Sequence, residues 1–586
     1  MTSSRRFAAA LAGFLLLYFV YGLHRLSLGV DFTDEGVYLA WPLRTLFGEP
    51  PFAGDPLLAL RPLFNHLSVI HRIYPDVSVY DFRLLGWVIH LGAFAVLAWS
   101  LFRLSGAVFR NLLIASVPFF VCHIFGLAVP SYNSISSDFL LIALSLLSLA
   151  SHEGTQHPLA LHLAAGLALF VATLAHPGLG LVAAVIGLNE IFRRNLIQNL
   201  LSRRPTASNA GFLAFAGCWL TYLLHFVATG ALSVWLERSA LYHSARVASL
   251  EGNSGRFFLA LLIYPFTYDF LAIVFSVAAL AAIAVLAWLA HTGRQVAAGT
   301  TAAFLALLLL IALIRTFSFN ADRLPVAFAM VSLVVIAVHV LRLGGPALAA
   351  GPNLRVLLAA SAVGALLYAT LTFYFSPLRS WVSGILALPF AFAVGLALLL
   401  RAPTGPFAPL VRMLSTAVLV LAVVCVAGEH YRFIYRDGSP ALLTASFRAP
   451  KFRHLRSTPD RTQAVDTLYD YLHPKLARGE PLIAFDDCPM LYFLFDAQPV
   501  YGLTWAVRYT QSSTALAGFD RELRSRPLPR YAIRTLVDLS HPVWSMAPRT
   551  NYDNYPLNAT VTGSYQLERT IFPFEVWRLK TIGRPE

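Results

Sequence analysis

Charge is scarce in this sequence. Only 13% of the 586 residues are Asp, Glu, Lys or Arg, about half the share found in a soluble domain. An ordinary cytosolic enzyme is excluded, and so is a disordered chain, which needs high charge and few apolar residues. Lysine is nearly missing. It stands at Lys451, Lys475 and Lys580, so 41 of the 44 basic residues are arginine. They are scattered, and the net charge of +14 forms no basic stripe of the kind that nucleic acid requires. Cysteine is rare as well: Cys122, Cys218 and Cys425 fall in apolar runs, and Cys488 lies far from them. Without a CxxC pair or metal-type spacing, neither a disulfide framework nor a zinc site is expected. Internal repeats and low-complexity tracts are absent too.

What the chain has is apolar residues, 57% of the total, with a mean hydropathy of +0.65. They come in runs of about 20, the length of one bilayer crossing. The expectation is a polytopic α-helical membrane protein with thirteen spans, near 7–29, 84–102, 111–129, 136–150, 159–175, 179–192, 210–230, 257–290, 299–314, 326–341, 356–374, 381–400 and 412–428. The run 257–290 exceeds one straight crossing, and Pro265 and Asp269 mark a break near its start. Tyr18, Tyr21 and His24 do not make a small-residue cleavage site, so the first helix is read as uncleaved. Arg5-Arg6, Arg103, Arg110, Arg193-Arg194, Arg203-Arg204, Arg294, Arg342, Arg355, Arg401 and Arg412 share one side, read as the cytoplasm. An odd number of spans then places residues 429–586 outside. There the apolar runs stop. A helix over 460–477 and strands at 481–485, 531–537, 564–570 and 574–579 predict a small α/β domain.

Carboxylates are distributed unevenly. Residues 1–428 hold 14 acids, and twelve of them fall at or near the outer face. Seven lie in the first outer loop, 30–83, together with Arg44, Arg61, Arg72, Arg83, His66 and His71. That loop is too polar for lipid and too apolar for open water, so helices along the membrane surface are expected near 35–47 and 62–72. Asp31, Asp34, Glu35 and Tyr38 share one face if their stretch is helical. Asp31 and Asp34 are either caps of that helix or part of a general-base site at the mouth of a cavity. Asn133, in the turn Pro130-Ser131-Tyr132-Asn133, either caps the next helix or binds a polar ligand. His176 in a Pro-Gly turn is either solvated or a ligand contact. Arg315, Arg323 and Arg379 at outer helix ends either snorkel or clamp a phosphate.

The stretch Asp31-Phe-Thr-Asp-Glu-Gly-Val-Tyr38 resembles the Asp-Glu motif in the first outer loop of GT-C fold glycosyltransferases, the group of the bacterial aminoarabinose transferase of lipid A and the protein O-mannosyltransferases. The turn Pro130-Ser131-Tyr132-Asn133 and the segment Phe485-Asp486-Asp487-Cys488-Pro489-Met490-Leu491-Tyr492 resemble motifs of bacterial members. Two positions depart from the pattern. Asn133 stands where relatives often have an acid, with Asp138 following, and His176 stands where relatives often have lysine. The resemblance implies a GT-C-like domain over 1–428, an extracytoplasmic domain over 429–586, and a multi-pass protein of the cytoplasmic membrane. It implies inverting transfer of a sugar from a polyprenyl-phosphate donor to a glycan, lipid or protein acceptor. Asp34 would be the general base and Glu35 would orient the acceptor or hold the adjoining helix. Asp31, Tyr38, Arg61, Arg72, Tyr132, Asn133, His176, Arg315, Arg323 and Arg379 would contact substrate. No metal or other cofactor is called for. The rival readings are a transporter or lipid-linked sugar flippase, a surface-polysaccharide polymerase or ligase, and a membrane scaffold.

Overall fold

The computed structural model describes residues 3–55, 58, 61–122, 129–152, 155–192, 196, 199, 202, 206–248, 288, 292, 323–340, 352–372, 385–401, 408–485, 487–500, 504, 523, 526–552 and 556–580. The expected spans 257–290 and 299–314, with Arg315 and Arg379, lie outside them. Arg323 is the first residue of a helix, and the placement of its side chain is not described.

Six of the described helices are long and apolar enough to cross a membrane: α1 (Ser3–Arg25), α4 (Val79–Ser105), α6 (Tyr132–Ala150), α7 (Pro158–Ala175), α9 (Ala207–Ala228) and α14 (Ala408–Arg432). The chain is a multi-pass membrane protein. Shorter apolar helices complete the bundle: α5 (Val108–Val121), α8 (Gly180–Phe192), α11 (Arg323–Val340), α12 (Pro352–Thr372) and α13 (Pro389–Arg401). Large apolar side chains on their outer faces are left bare, as with Leu16 at 64% and Val424 at 62% exposure, which suits contact with lipid and not with water. A helix over Ala231–Ala248 (α10) was not expected from the sequence, whose window there is broken by Glu237 and Arg238.

Two short helices lie in the first loop, α2 (Asp34–Leu46) and α3 (Ser68–Ile73), with one helical turn at Leu63–His66. The single surface helix expected over 62–72 is thus broken at Leu67. Beyond α14 the chain builds a β-ribbon (β1, Ala445–Ser446; β2, Arg456–Ser457), helix α15 (Pro459–Leu472) and a five-stranded sheet. Its strands are β3 (Pro481–Phe485), β4 (Gln498–Pro499), β5 (Tyr531–Thr535), β6 (Tyr565–Ile571) and β7 (Phe574–Leu579), in the order β4-β3-β5-β7-β6. β3 runs parallel to β4 and β5, whereas β5, β7 and β6 are antiparallel. A short helix, α16 (Met490–Leu494), follows β3, and α17 (Pro556–Ser564) precedes β6.

The first loop and this tail share one apolar core. Phe32, Leu39 and Leu43 pack in the same cluster as Phe452, Leu468, Met490 and Phe574. Backbone bonds join them as well: Gly29 N donates to Arg456 O, Arg456 N to Ser27 O, and Met490 N to Phe32 O. Gly36 permits the approach of α2 to α16, because a Cβ there would lie 2.3 Å from the Met490 nitrogen. Two capping boxes set the helix starts around this core. Ser78 and Asp81 form a reciprocal capping box at α4, and Ser131 and Ser134 form one at α6. The cap of α6 is therefore Ser131, in extended backbone one residue before the helix, and not Asn133, which sits inside the first turn.

Candidate functional site

The acids of the first loop have separate fates. Asp31 precedes α2 and turns back on it. Its carboxylate accepts from Thr33 N (3.0 Å), Thr33 Oγ1 (2.7 Å) and Glu35 N (3.0 Å), which satisfies donors that a helix start leaves open. Glu35 is fully buried and forks onto Arg83 of α4, with Nε and Nη2 each donating at 2.7 Å. The same guanidinium donates to the carbonyls of Leu26, Leu28 and Gly29, so it closes the C-terminal end of α1 and pins α2 to α4. Glu49 pairs with Arg44, Asp55 accepts from Trp41 and Thr504, and Asp81 caps α4 and meets Arg453. Asp76 is exposed.

Asp34 differs from all of these. It opens α2, keeps 16% side-chain exposure, and points to the segment that follows α14. Tyr435 donates its hydroxyl to Asp34 Oδ2 at 2.6 Å, and Arg436 Nη1 lies 3.3 Å from the same oxygen. Arg436 is also 3.9 Å from Asp31 Oδ1, and its guanidinium stacks on the Tyr435 ring at 4.8 Å. Burial works against the Arg436 charge, but the Asp34 and Asp31 carboxylates outweigh it and hold the guanidinium above its ordinary pKa. Burial first, and then the Asp34 charge, raise the Tyr435 phenol, so it stays a protonated donor. The one-face arrangement expected for Asp31, Asp34, Glu35 and Tyr38 does not form. Asp31 lies outside the helix, and Glu35 turns to Arg83.

One turn along α2 from Asp34 stands Tyr38, whose ring meets Tyr132 edge-on at 5.7 Å. Tyr38 feels the charges of Asp34 and Arg61, and burial chiefly raises its phenol. Arg61 lies over the Tyr132 ring, 4.0 Å from its centre. Tyr132 in turn meets His176 at 5.9 Å, and His176 meets Tyr368 of α12 at 4.7 Å. Ser136, one turn into α6, is hydrogen-bonded to the Tyr368 hydroxyl. The structure thus brings Asp34, Tyr38, Arg61, Tyr132 and His176 into one chain of contacts, with Asn133 next to Tyr132. Arg72 is not brought there. It is exposed on α3, whose buried neighbour His71 packs instead on Phe82 and Phe493.

Sequence reasoning missed Tyr435, Arg436, Ser136 and Tyr368. The signal was present in Tyr435-Arg436-Asp437-Gly438, a polar run directly after the last apolar stretch. Asp437 there accepts from Val30 N and Ser457 Oγ, which locks the run against the start of the first loop. Asp138 is not part of the cluster either. It pairs with His90 at 2.7 Å inside the bundle, beside a cavity of about 10 Å³ lined by Phe94, Phe119 and Cys122. That is room for about one water, too little for a transported solute.

No protein-family model matches the chain, and no curated protein matches it. Among solved structures it is similar to ArnT from Cupriavidus metallidurans bound to undecaprenyl phosphate, at 12% identity and TM-score 0.37 over 97% of both chains. It is also similar to the arabinofuranosyltransferase AftD from Mycobacteria, at 14% identity and TM-score 0.43, with 99% of this chain covering 40% of AftD. A third is the archaeal oligosaccharyltransferase AglB from Archaeoglobus fulgidus in complex with an inhibitory peptide and a dolichol-phosphate, at 12% identity and TM-score 0.44 over 90% of this chain and 69% of AglB.

Proposed function

We propose that the protein is an inverting glycosyltransferase that takes a sugar from a polyprenyl-phosphate donor at the outer face of the cytoplasmic membrane. The observation that carries this reading is the setting of Asp34. It keeps 16% side-chain exposure, and one turn of α2 separates it from the aromatic and cationic contacts of Tyr38, Tyr132 and Arg61. In the transfer, the acceptor hydroxyl oxygen forms a bond to the anomeric carbon as the bond from that carbon to the phosphate oxygen breaks. The hydroxyl proton passes to Asp34, a role worth about 10²–10⁴ in rate. Polyprenyl phosphate leaves with the bonding electron pair, and Arg61 offsets the charge it gains. Tyr435 and Arg436 orient Asp34, while Glu35 and Arg83 hold the helix that carries it. No step of this scheme calls for a metal. The acceptor is a glycan, lipid or protein of the cell envelope, and the role of the tail domain is to cover the site or select the acceptor.

The test is consumption of radiolabelled undecaprenyl-phosphate sugars by the purified protein in nanodiscs. Release of undecaprenyl phosphate with sugar appearing on an acceptor supports the reading. Movement of intact lipid across vesicle membranes without bond cleavage would replace it with a flippase.

A further inference from the structure

Two polar groups in the cluster are buried and unsatisfied. His176 is 1% exposed, and neither of its ring nitrogens has a hydrogen-bond partner on another of the described residues. Its ring cannot turn to find one cheaply, because Tyr368 and Tyr132 pack against it. Asn133 is half-buried beside Tyr132 on the first turn of α6, with its Oδ1 atom covered and without a hydrogen-bond partner. Buried polar atoms in native proteins are nearly always paired, and of the unpaired ones these lie in the contact chain that starts at Asp34, where a ligand atom could pair with them. The chemistry selects the ligand atom. Burial chiefly, and then the nearby Arg61 charge, pull the His176 imidazole well below its ordinary pKa, so the ring is neutral. A neutral imidazole offers one donor and one acceptor, and an amide oxygen is an acceptor. A phosphodiester is acceptor-only. It would leave the bare nitrogen of His176 unpaired. A hydroxyl both donates and accepts, and it suits both groups. A fixed cation for phosphate stands nearby in Arg61, held over Tyr132.

We infer that His176 and Asn133 form a subsite that reads hydroxyl groups of the transferred sugar, while the lipid phosphate is left to Arg61. This rests on the donor reading above. It makes His176 a specificity-determining residue and not a phosphate ligand.

The experiment measures binding of two kinds of probe to the full-length protein in nanodiscs: undecaprenyl phosphate alone, and undecaprenyl phosphate carrying glucose, mannose or arabinose. The variants are His176→Leu, His176→Gln and Asn133→Ala, each checked for an unchanged melting temperature. For the best-bound sugar lipid, His176→Leu should weaken binding about tenfold or more and change the affinity for bare undecaprenyl phosphate less than about twofold. His176→Gln, which keeps a donor and an acceptor, should recover part of the loss. Asn133→Ala should act in the same direction as His176→Leu. Equal weakening of both probes would mean a phosphate contact and would overturn the inference, and so would unchanged binding of the sugar lipid. If the wild-type protein bound neither probe, the donor reading itself would fall, and the subsite with it.

Discussion

Glu35 and Asp34 are neighbours in sequence, yet the structure gives them different partners, and the Glu35–Arg83 pair is the place to test the division of roles proposed for them. The Arg83 side chain is 7% exposed and that of Glu35 is 0% exposed. Glu35→Ala deletes two charge-assisted bonds of 2.7 Å and leaves a buried guanidinium facing only carbonyl oxygens. Removing one partner of a buried pair costs about 3–5 kcal/mol. The carbonyls of Leu26 and Gly29 remain to soften the loss, so a value of about 3 kcal/mol is expected. Arg83→Met should cost a similar amount, because it strands the carboxylate and unties the end of α1. The double variant should cost less than the two losses added together, with a coupling of roughly 1–3 kcal/mol. Unfolding in detergent, followed by tryptophan fluorescence, gives all three values. Transfer by the surviving folded fraction of Glu35→Ala should remain within about tenfold of wild type. If Glu35→Ala kept its stability and lost turnover, Glu35 would belong to the chemistry and the division would be wrong.

Tyr435→Phe removes the 2.6 Å bond that orients Asp34. A hydrogen bond to a charged group is worth about 1.5–3 kcal/mol, so kcat should fall roughly tenfold or more with little change in donor binding. An unchanged kcat would detach Tyr435 from the site. Gly36→Ala places a Cβ 2.3 Å from the Met490 nitrogen and should loosen the tail from α2 at a cost of about 1–3 kcal/mol. Faster proteolysis within residues 429–586 is the readout, and wild-type resistance would contradict the close approach. Burial first, and then Lys451 and Arg478, pull the His71 imidazole down to about 3. In the unfolded chain it titrates near 6.5. Between these values the unfolded state binds a proton that the folded state refuses, so stability is full above about pH 6.5 and falls on acidification. From pH 7 to 5 the His71 share of the loss is about 2 kcal/mol. His71→Phe should remove that share, and an identical pH slope in the variant would refute the assignment.

Long apolar runs made the six membrane-length helices among the described residues legible. The run expected at 84–102 is the core of Val79–Ser105, and the one at 412–428 lies within Ala408–Arg432. A short apolar run marked Pro481–Phe485, and strand-type composition marked Phe574–Leu579, both to the residue. Other features left no local trace. β4 is two residues long, and its parallel pairing with β3 depends on partners brought together by α16. The roles of the acids were legible as alternatives only. Whether Asp31, Asp34 or Glu35 caps, pairs or faces the site is decided by Arg83, 48 residues away from Glu35, and by Tyr435, 401 residues away from Asp34. Helical spacing cannot encode such partners. The clustering of Tyr38, Arg61, Tyr132 and His176 likewise depends on how α2, α6 and α7 meet, although each residue was marked by its position at a loop or helix end. Tyr435-Arg436 was passed over because a polar run after a last span reads as an ordinary interface end.

The most direct measurement compares Asp34→Asn with wild type in single-turnover transfer from a radiolabelled undecaprenyl-phosphate sugar, with donor affinity and melting temperature recorded on the same preparations. The account predicts transfer lower by at least about a hundredfold, with affinity and melting temperature unchanged. Transfer at the wild-type rate by a fully folded Asp34→Asn protein would contradict it.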